Sequence, residues 1–125
     1  MSFAAGQLWT FSETADAPPL LVTIGHVDTA ADLGADAANP AVLSVSLIPV
    51  EEARALGWPE VAHCPLSSAE FKDGEKVMDG ASAAAEFDDG YATWRAAFDA
   101  GEAGVFSQGP SAAYAAIVAL YAEQQ

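Results

Sequence analysis

Val42-Leu43-Ser44-Val45-Ser46-Leu47-Ile48 decides the fold. Leu43, Val45 and Leu47 recur at every second position, the period of a strand with one apolar face. Upstream, Leu20 to Asp28 is rich in Leu, Val, Thr and Ile and reads as another strand. Gln7-Leu8-Trp9-Thr10-Phe11 alternates in the same way, with Leu8 on one face and Trp9 and Phe11 on the other. Ala-Asp-Ala-Pro-Pro at 15–19 makes the turn between these two strands. The stretch 29–40 has Leu33 as its one large apolar residue and reads as a polar loop.

Downstream of Pro49 the periodicity changes. Val50 to Leu56 predicts a short helix stopped by Gly57, with Glu51 and Glu52 where the helix dipole favours negative charge. After the Trp58-Pro59 turn, Val61 to Cys64 reads as a brief strand held extended by Pro65. Ser67-Ser68-Ala69-Glu70 fits a capping box, with Ser67 as N-cap, Glu70 at N3, and Leu66 and Phe71 at the staple positions. A helix is therefore expected to begin there, ending at Asp73-Gly74 or continuing through Val77 and Met78 to Gly80. The stretch 81–85 is Ala-rich and suits helix or loop. Behind Glu86, Asp88 and Asp89, the aromatic residues Tyr91, Trp94 and Phe98 recur at helical spacing until Gly101. Val105 to Ser107 is a short strand, and Pro110 opens a last helix carrying Tyr114, Ile117, Val118 and Tyr121 on one face.

Strands crowd the first half and helices the second. The expected class is α+β: an antiparallel sheet formed mainly by the N-terminal half, backed by helices from the C-terminal half, rather than alternating βαβ units. Neither a repeat nor a linker divides the chain, so residues 1–125 are expected to form a single acidic domain. That length suits one core that buries roughly two-thirds of the unfolded surface. Alanine supplies 29 residues of the 52% hydrophobic fraction, so the core must be built by Trp9, Trp58, Trp94, the six Phe, the three Tyr and the aliphatic runs.

Eighteen acidic residues stand against Arg54, Lys72, Lys76 and Arg95, a net charge of −14. Such a surface repels nucleic-acid phosphates and anionic lipid headgroups, which argues against nucleic-acid and membrane-surface partners. Its plain reading is solubility; its sharper reading is an acidic face for a basic partner. The acids are scattered, and Glu51, Glu52, Glu70, Asp88 and Asp89 have local uses at helix starts. A single cysteine, Cys64, excludes an internal disulfide. Met1 to Leu8 has no basic, apolar leader pattern, and no apolar run is long enough to span a bilayer, so a cytoplasmic location is expected.

Gly6-Gln7-Leu8-Trp9, His63-Cys64-Pro65-Leu66, Gly90-Tyr91-Ala92-Thr93-Trp94-Arg95 and Gly104-Val105-Phe106 together resemble a pattern found in a family of small uncharacterised bacterial proteins. The resemblance covers nearly the whole chain. It implies a compact single domain and carries over no catalytic or binding residue.

Common catalytic and nucleotide-binding signatures are missing: no G-x-G-x-x-G, no G-x-x-x-x-G-K-[ST], no G-x-S-x-G, no H-E-x-x-H and no C-x-x-C. No cofactor and no resident metal are implied. His26 and Asp28, two apart on a strand, leave the same face, where the carboxylate would raise the basicity of the imidazole or share a metal with it. His63, brought from another strand, would complete a set of two histidines and one carboxylate. The plainer reading makes His26 and Asp28 the polar end of a strand entering a loop. His63 and Cys64 are neighbours on a strand and point to opposite faces, so they are not a nucleophile and its base, and Cys64 reads as a buried filler. Asp28, Asp32 and Asp36 recur every fourth residue without the spacing of a calcium loop. Tyr91, Trp94 and Arg95 offer an aromatic and cationic surface on which Arg95 would clamp an anion; alternatively Trp94 is core and Arg95 pairs with a nearby acid.

Two functions follow. The first is a non-enzymatic protein-interaction module or homo-oligomer. The second is a small enzyme or small-molecule binder built on His26, Asp28 and His63, with Arg95 holding an anion.

Overall fold

The computed structural model describes residues 3–34, 36 and 39–123. Met1 and Ser2 of the leader reading, and positions 35, 37 and 38 of the expected polar loop, lie outside the described residues. Five strands, β1 (Leu8–Phe11), β2 (Leu20–Asp28), β3 (Val42–Pro49), β4 (Val61–Ser67) and β5 (Glu75–Met78), form one sheet in the order β4-β3-β2-β1-β5. All its ladders are antiparallel. The helices are the short α1 (Glu51–Ala55), then α2 (Phe87–Asp99) and α3 (Pro110–Glu123) in the C-terminal half. The fold is α+β, with the sheet drawn mostly from the N-terminal half.

One sheet face is uniformly apolar. Leu20, Val22 and Ile24 of β2 lie beside Leu43, Val45 and Leu47 of β3, with Trp9 and Phe11 on one side and Cys64 and Leu66 on the other. Ala113 and Tyr114 of α3 complete this core, together with Phe71, and Ile117 and Val118 pack against it. Leu43, Val45 and Leu47 are fully buried, each aliphatic side chain contributing about 1.5–3 kcal/mol by leaving water. Tyr114 reaches through the core to donate its hydroxyl hydrogen to the Pro59 carbonyl at 2.6 Å. Burial pushes this phenol up to about 12.

The opposite face is polar yet covered. Thr23, Ser44, Ser46 and Asp28 are buried there, and α2 packs chiefly over β4 and β3.

Three expected elements differ. Ser67 does act as an N-cap, its Oγ accepting from the Ala69 amide at 3.3 Å rather than from the Glu70 amide of a capping box, but only a 3₁₀ turn over Ser68–Glu70 follows. Both Leu66 and Phe71 are buried in the core, and the chain then enters β5, where Glu75 to Met78 pair with β1. Sheet pairing therefore takes the place of the helical continuation through Val77 and Met78. In β4, the strand continues through Pro65 to Ser67, since an edge strand tolerates proline. Phe106 caps that edge: its amide donates to the Pro65 carbonyl at 2.9 Å, and the Ser67 amide donates to the Phe106 carbonyl at 3.0 Å. The expected strand at 105–107 is reduced to this single bridge. The stretch 81–85 is not helical, and among the described residues no helix is long and apolar enough to cross a membrane.

Candidate functional site

Strict alternation from Ile24 would send His26 and Asp28 into the apolar core. The ladder between β2 and β3 prevents this by slipping one residue: Ile24 pairs with Val45 and His26 with Ser44, leaving Gly25 as a bulge. His26 and Asp28 therefore face α2 while Val27 stays with the core. Gly25 is required there, because a Cβ would lie 2.4 Å from the Phe87 ring. A second bulge lies across the sheet, where three β4 steps from Val61 to Cys64 match two β3 steps from Leu47 to Val45. It directs Cys64 into the core and His63 toward α2. Ser46 Oγ stabilises this bulge by donating to the Ala62 carbonyl at 2.8 Å, and it also accepts from the Ala84 amide at 2.9 Å.

Helix α2 meets both histidines through an aromatic stripe. Tyr91 lies 4.5 Å from His26 and 5.9 Å from His63, measured between ring centroids. Phe87 and Trp94 flank His63 at 5.5 and 5.7 Å. The helix approaches β4 at Gly90, where a Cβ would stand 2.8 Å from the His63 Cβ. Trp94 is buried and donates its indole hydrogen to the Gly104 carbonyl at 2.9 Å.

Asp28 is the centre of the polar cluster, with its side chain 3% exposed. Its Oδ2 accepts from the Tyr91 hydroxyl at 2.9 Å, and its Oδ1 accepts from Arg95 Nη1 at 3.1 Å. His26 Nε2 lies 3.3 Å from the same Oδ1. Arg95 is equally occupied: Nη2 donates to the Asp32 carbonyl at 2.9 Å and Nε to Asp99 Oδ1 at 3.2 Å. Burial pushes the Tyr91 phenol above its ordinary value, and the Asp28 carboxylate acts in the same direction.

His63 is different. Desolvation lowers it to about 4, so it is neutral at pH 7, and its buried Nε2 has no hydrogen-bond partner among the described residues. Ser44 Oγ shares that condition. Burial pushes the Cys64 thiol up to about 12, which removes the thiolate a nucleophile needs.

All five residues singled out by sequence, His26, Asp28, His63, Trp94 and Arg95, therefore gather beneath or along α2. The two histidines share Tyr91 as a neighbour, but the depression of about 520 Å3 lined by His63, Asp89, Trp94 and Tyr121 does not include His26. Among the described residues, no three His, Cys, Asp or Glu side chains are arranged to hold a metal ion. Asp32 turns inward on its own loop, its Oδ2 accepting from the Thr29 amide at 2.9 Å, and this hydrogen bond lowers its carboxyl below the usual range. Tyr91, which the sequence offered only as part of an aromatic and cationic surface, is the hub of the cluster, and Gly25 and Gly90, the points of close approach, were the residues that sequence reasoning missed. The signal for the first glycine was its place inside a strand, where glycine marks a bulge or a close contact.

No family model, curated protein or solved structure matches the chain.

Proposed function

We propose that the chain is a non-enzymatic protein-interaction module, presenting its surface to another protein or to a second copy of itself. The observation that carries this reading is the exposure of large apolar side chains on an otherwise acidic surface. Leu56 is 84% exposed, and Val77, Met78, Leu120 and Tyr121 also stand in water. The reactive-type groups support it from the other side. Asp28 and Arg95 spend their hydrogen bonds on each other and on α2 and its neighbouring loop, which leaves a poor base and a poor anion clamp. Affinity capture at low salt, combined with sedimentation, tests the reading. A salt-sensitive specific complex or a discrete oligomer is expected; a strictly monomeric chain with no specific partner contradicts it.

A second reading, a small enzyme or small-molecule binder using His26, Asp28 and His63, draws on the unpartnered Nε2 of His63 beside its depression. Titration with zinc or nickel, read on the imidazole NMR signals, separates the two. Unmoved signals at excess metal remove metal chemistry at these histidines.

A further inference from the structure

The turn at 13–19 and helix α1 enclose a groove of about 490 Å3, within the size range of ordinary binding clefts. Its apolar lining includes Pro18, Pro19, Val50, Ala53, Leu56 and Trp58. Its charged residues are all acids: Glu13, Asp16 and Glu52. Among the described residues no lysine or arginine lines it, and Arg54, the nearest base in sequence, is held by Glu60 at 3.1 Å.

The groove is built in advance of any occupant. Thr14 and Ala17 close the turn with a 2.9 Å backbone hydrogen bond, and the Val50 amide donates to the Pro19 carbonyl at 3.2 Å, joining the two walls. Trp58 is backed by Tyr114 of the core, with ring centroids 6.1 Å apart. Leu56 stands exposed at the rim as a large apolar side chain. Such a preformed apolar cleft costs little ordering on binding, and its carboxylates attract positive charge.

Resting on the interaction-module reading, we propose that this groove docks a short segment of another protein in which a large apolar side chain is flanked by Lys or Arg. The apolar side chain would lie against Trp58 and Leu56 while the flanking cations meet Glu13, Asp16 and Glu52. Charge decides among occupants: a second copy brings a net charge of −14 toward an acidic rim, whereas a basic segment is drawn to it.

Selection of a random peptide display library on the full chain tests this. Enriched peptides are expected to pair a large apolar residue with flanking bases. Binding of a labelled enriched peptide should fall about tenfold or more with Leu56→Ser, the loss typical of an apolar anchor. It should fall similarly with Glu13→Gln, Asp16→Asn and Glu52→Gln combined, and also with added salt. Neutralising Glu75, Asp79 and Glu102 together should change it less than about threefold, because exposed charges away from the site are screened. Equal weakening by both triple variants would mean general attraction of cations to an acidic protein and would overturn the proposal. So would enrichment of peptides without bases, a peptide indifferent to Leu56→Ser, or a dimer in sedimentation that Leu56→Ser dissolves. A partner captured equally by the wild type and Leu56→Ser would overturn the groove while leaving the interaction-module reading standing. Failure of peptide selection, capture and oligomerisation together would end both.

Discussion

The two faces of this sheet solve burial in opposite ways. On the α3 face, Leu43, Val45 and Leu47 meet other apolar groups, and any side chain of similar size and shape would serve. On the α2 face, Asp28, Thr23, Ser44 and Ser46 are buried polar groups; Asp28 and Ser46 rely on particular partners, the Tyr91 hydroxyl at 2.9 Å and the Ala62 carbonyl at 2.8 Å, whereas Ser44 Oγ has none among the described residues. A gathering of His, Asp, Tyr and Arg beneath a helix looks like catalytic equipment. Its hydrogen bonds describe a clamp, with the carboxylate enclosed and shared between Tyr91 and Arg95.

Truncation on the apolar face separates the two solutions most strongly. Leu47→Ala should lower unfolding stability by about 3 kcal/mol in urea titration, with the fold retained, since it removes a fully buried side chain and leaves a cavity. Asp28→Ala should cost about 2 kcal/mol. It strands the Tyr91 hydroxyl and Arg95 Nη1, but the partly exposed arginine keeps the Asp32 carbonyl and Asp99 and recovers water, which reduces the full cost of a broken buried pair. If Asp28→Ala were neutral, the clamp would be ornamental and the polar face would owe its stability to the aromatic stripe.

His63 sharpens the comparison through pH. Held down to about 4 in the folded chain, against its ordinary value of 6.5, it binds fewer protons folded than unfolded between those limits. Its favourable state is therefore complete above about pH 6.5, and stability is lost as pH falls toward 4. His63→Phe, which keeps an aromatic ring among Phe87, Tyr91 and Trp94, should flatten that part of the stability profile; an unchanged slope would assign it to the carboxylates. The smallest effect is expected at Ser44. Removing its buried, unpartnered hydroxyl by Ser44→Ala should alter stability by less than about 1 kcal/mol, and a gain is the expected sign.

The apolar face was legible in the sequence because alternation of large side chains encodes it directly. β2 spans the expected Leu20–Asp28, and α3 begins at the expected Pro110. The polar face was legible only as a collection of residues. Sequence placed His26 and Asp28 on one side of a strand, but that side is set by the bulge at Gly25, which depends on the ring of Phe87 more than sixty positions away. β5 was hidden for a similar reason. Its four residues are all exposed and lack an apolar stripe, so only pairing with β1 makes them a strand. The groove between 13–19 and α1 could not be anticipated either, since its walls are distant in sequence and meet at the Val50–Pro19 backbone hydrogen bond beside the Leu20–Pro49 pair of the sheet.

A double-mutant cycle on Asp28→Ala and Tyr91→Phe, read by urea unfolding, tests most directly whether the cluster holds α2 to the sheet. The 2.9 Å hydrogen bond between them predicts a favourable coupling of about 1 kcal/mol or more. Additive effects, with a coupling near zero, would contradict the clamp and return Asp28 and the histidines to consideration as a working site.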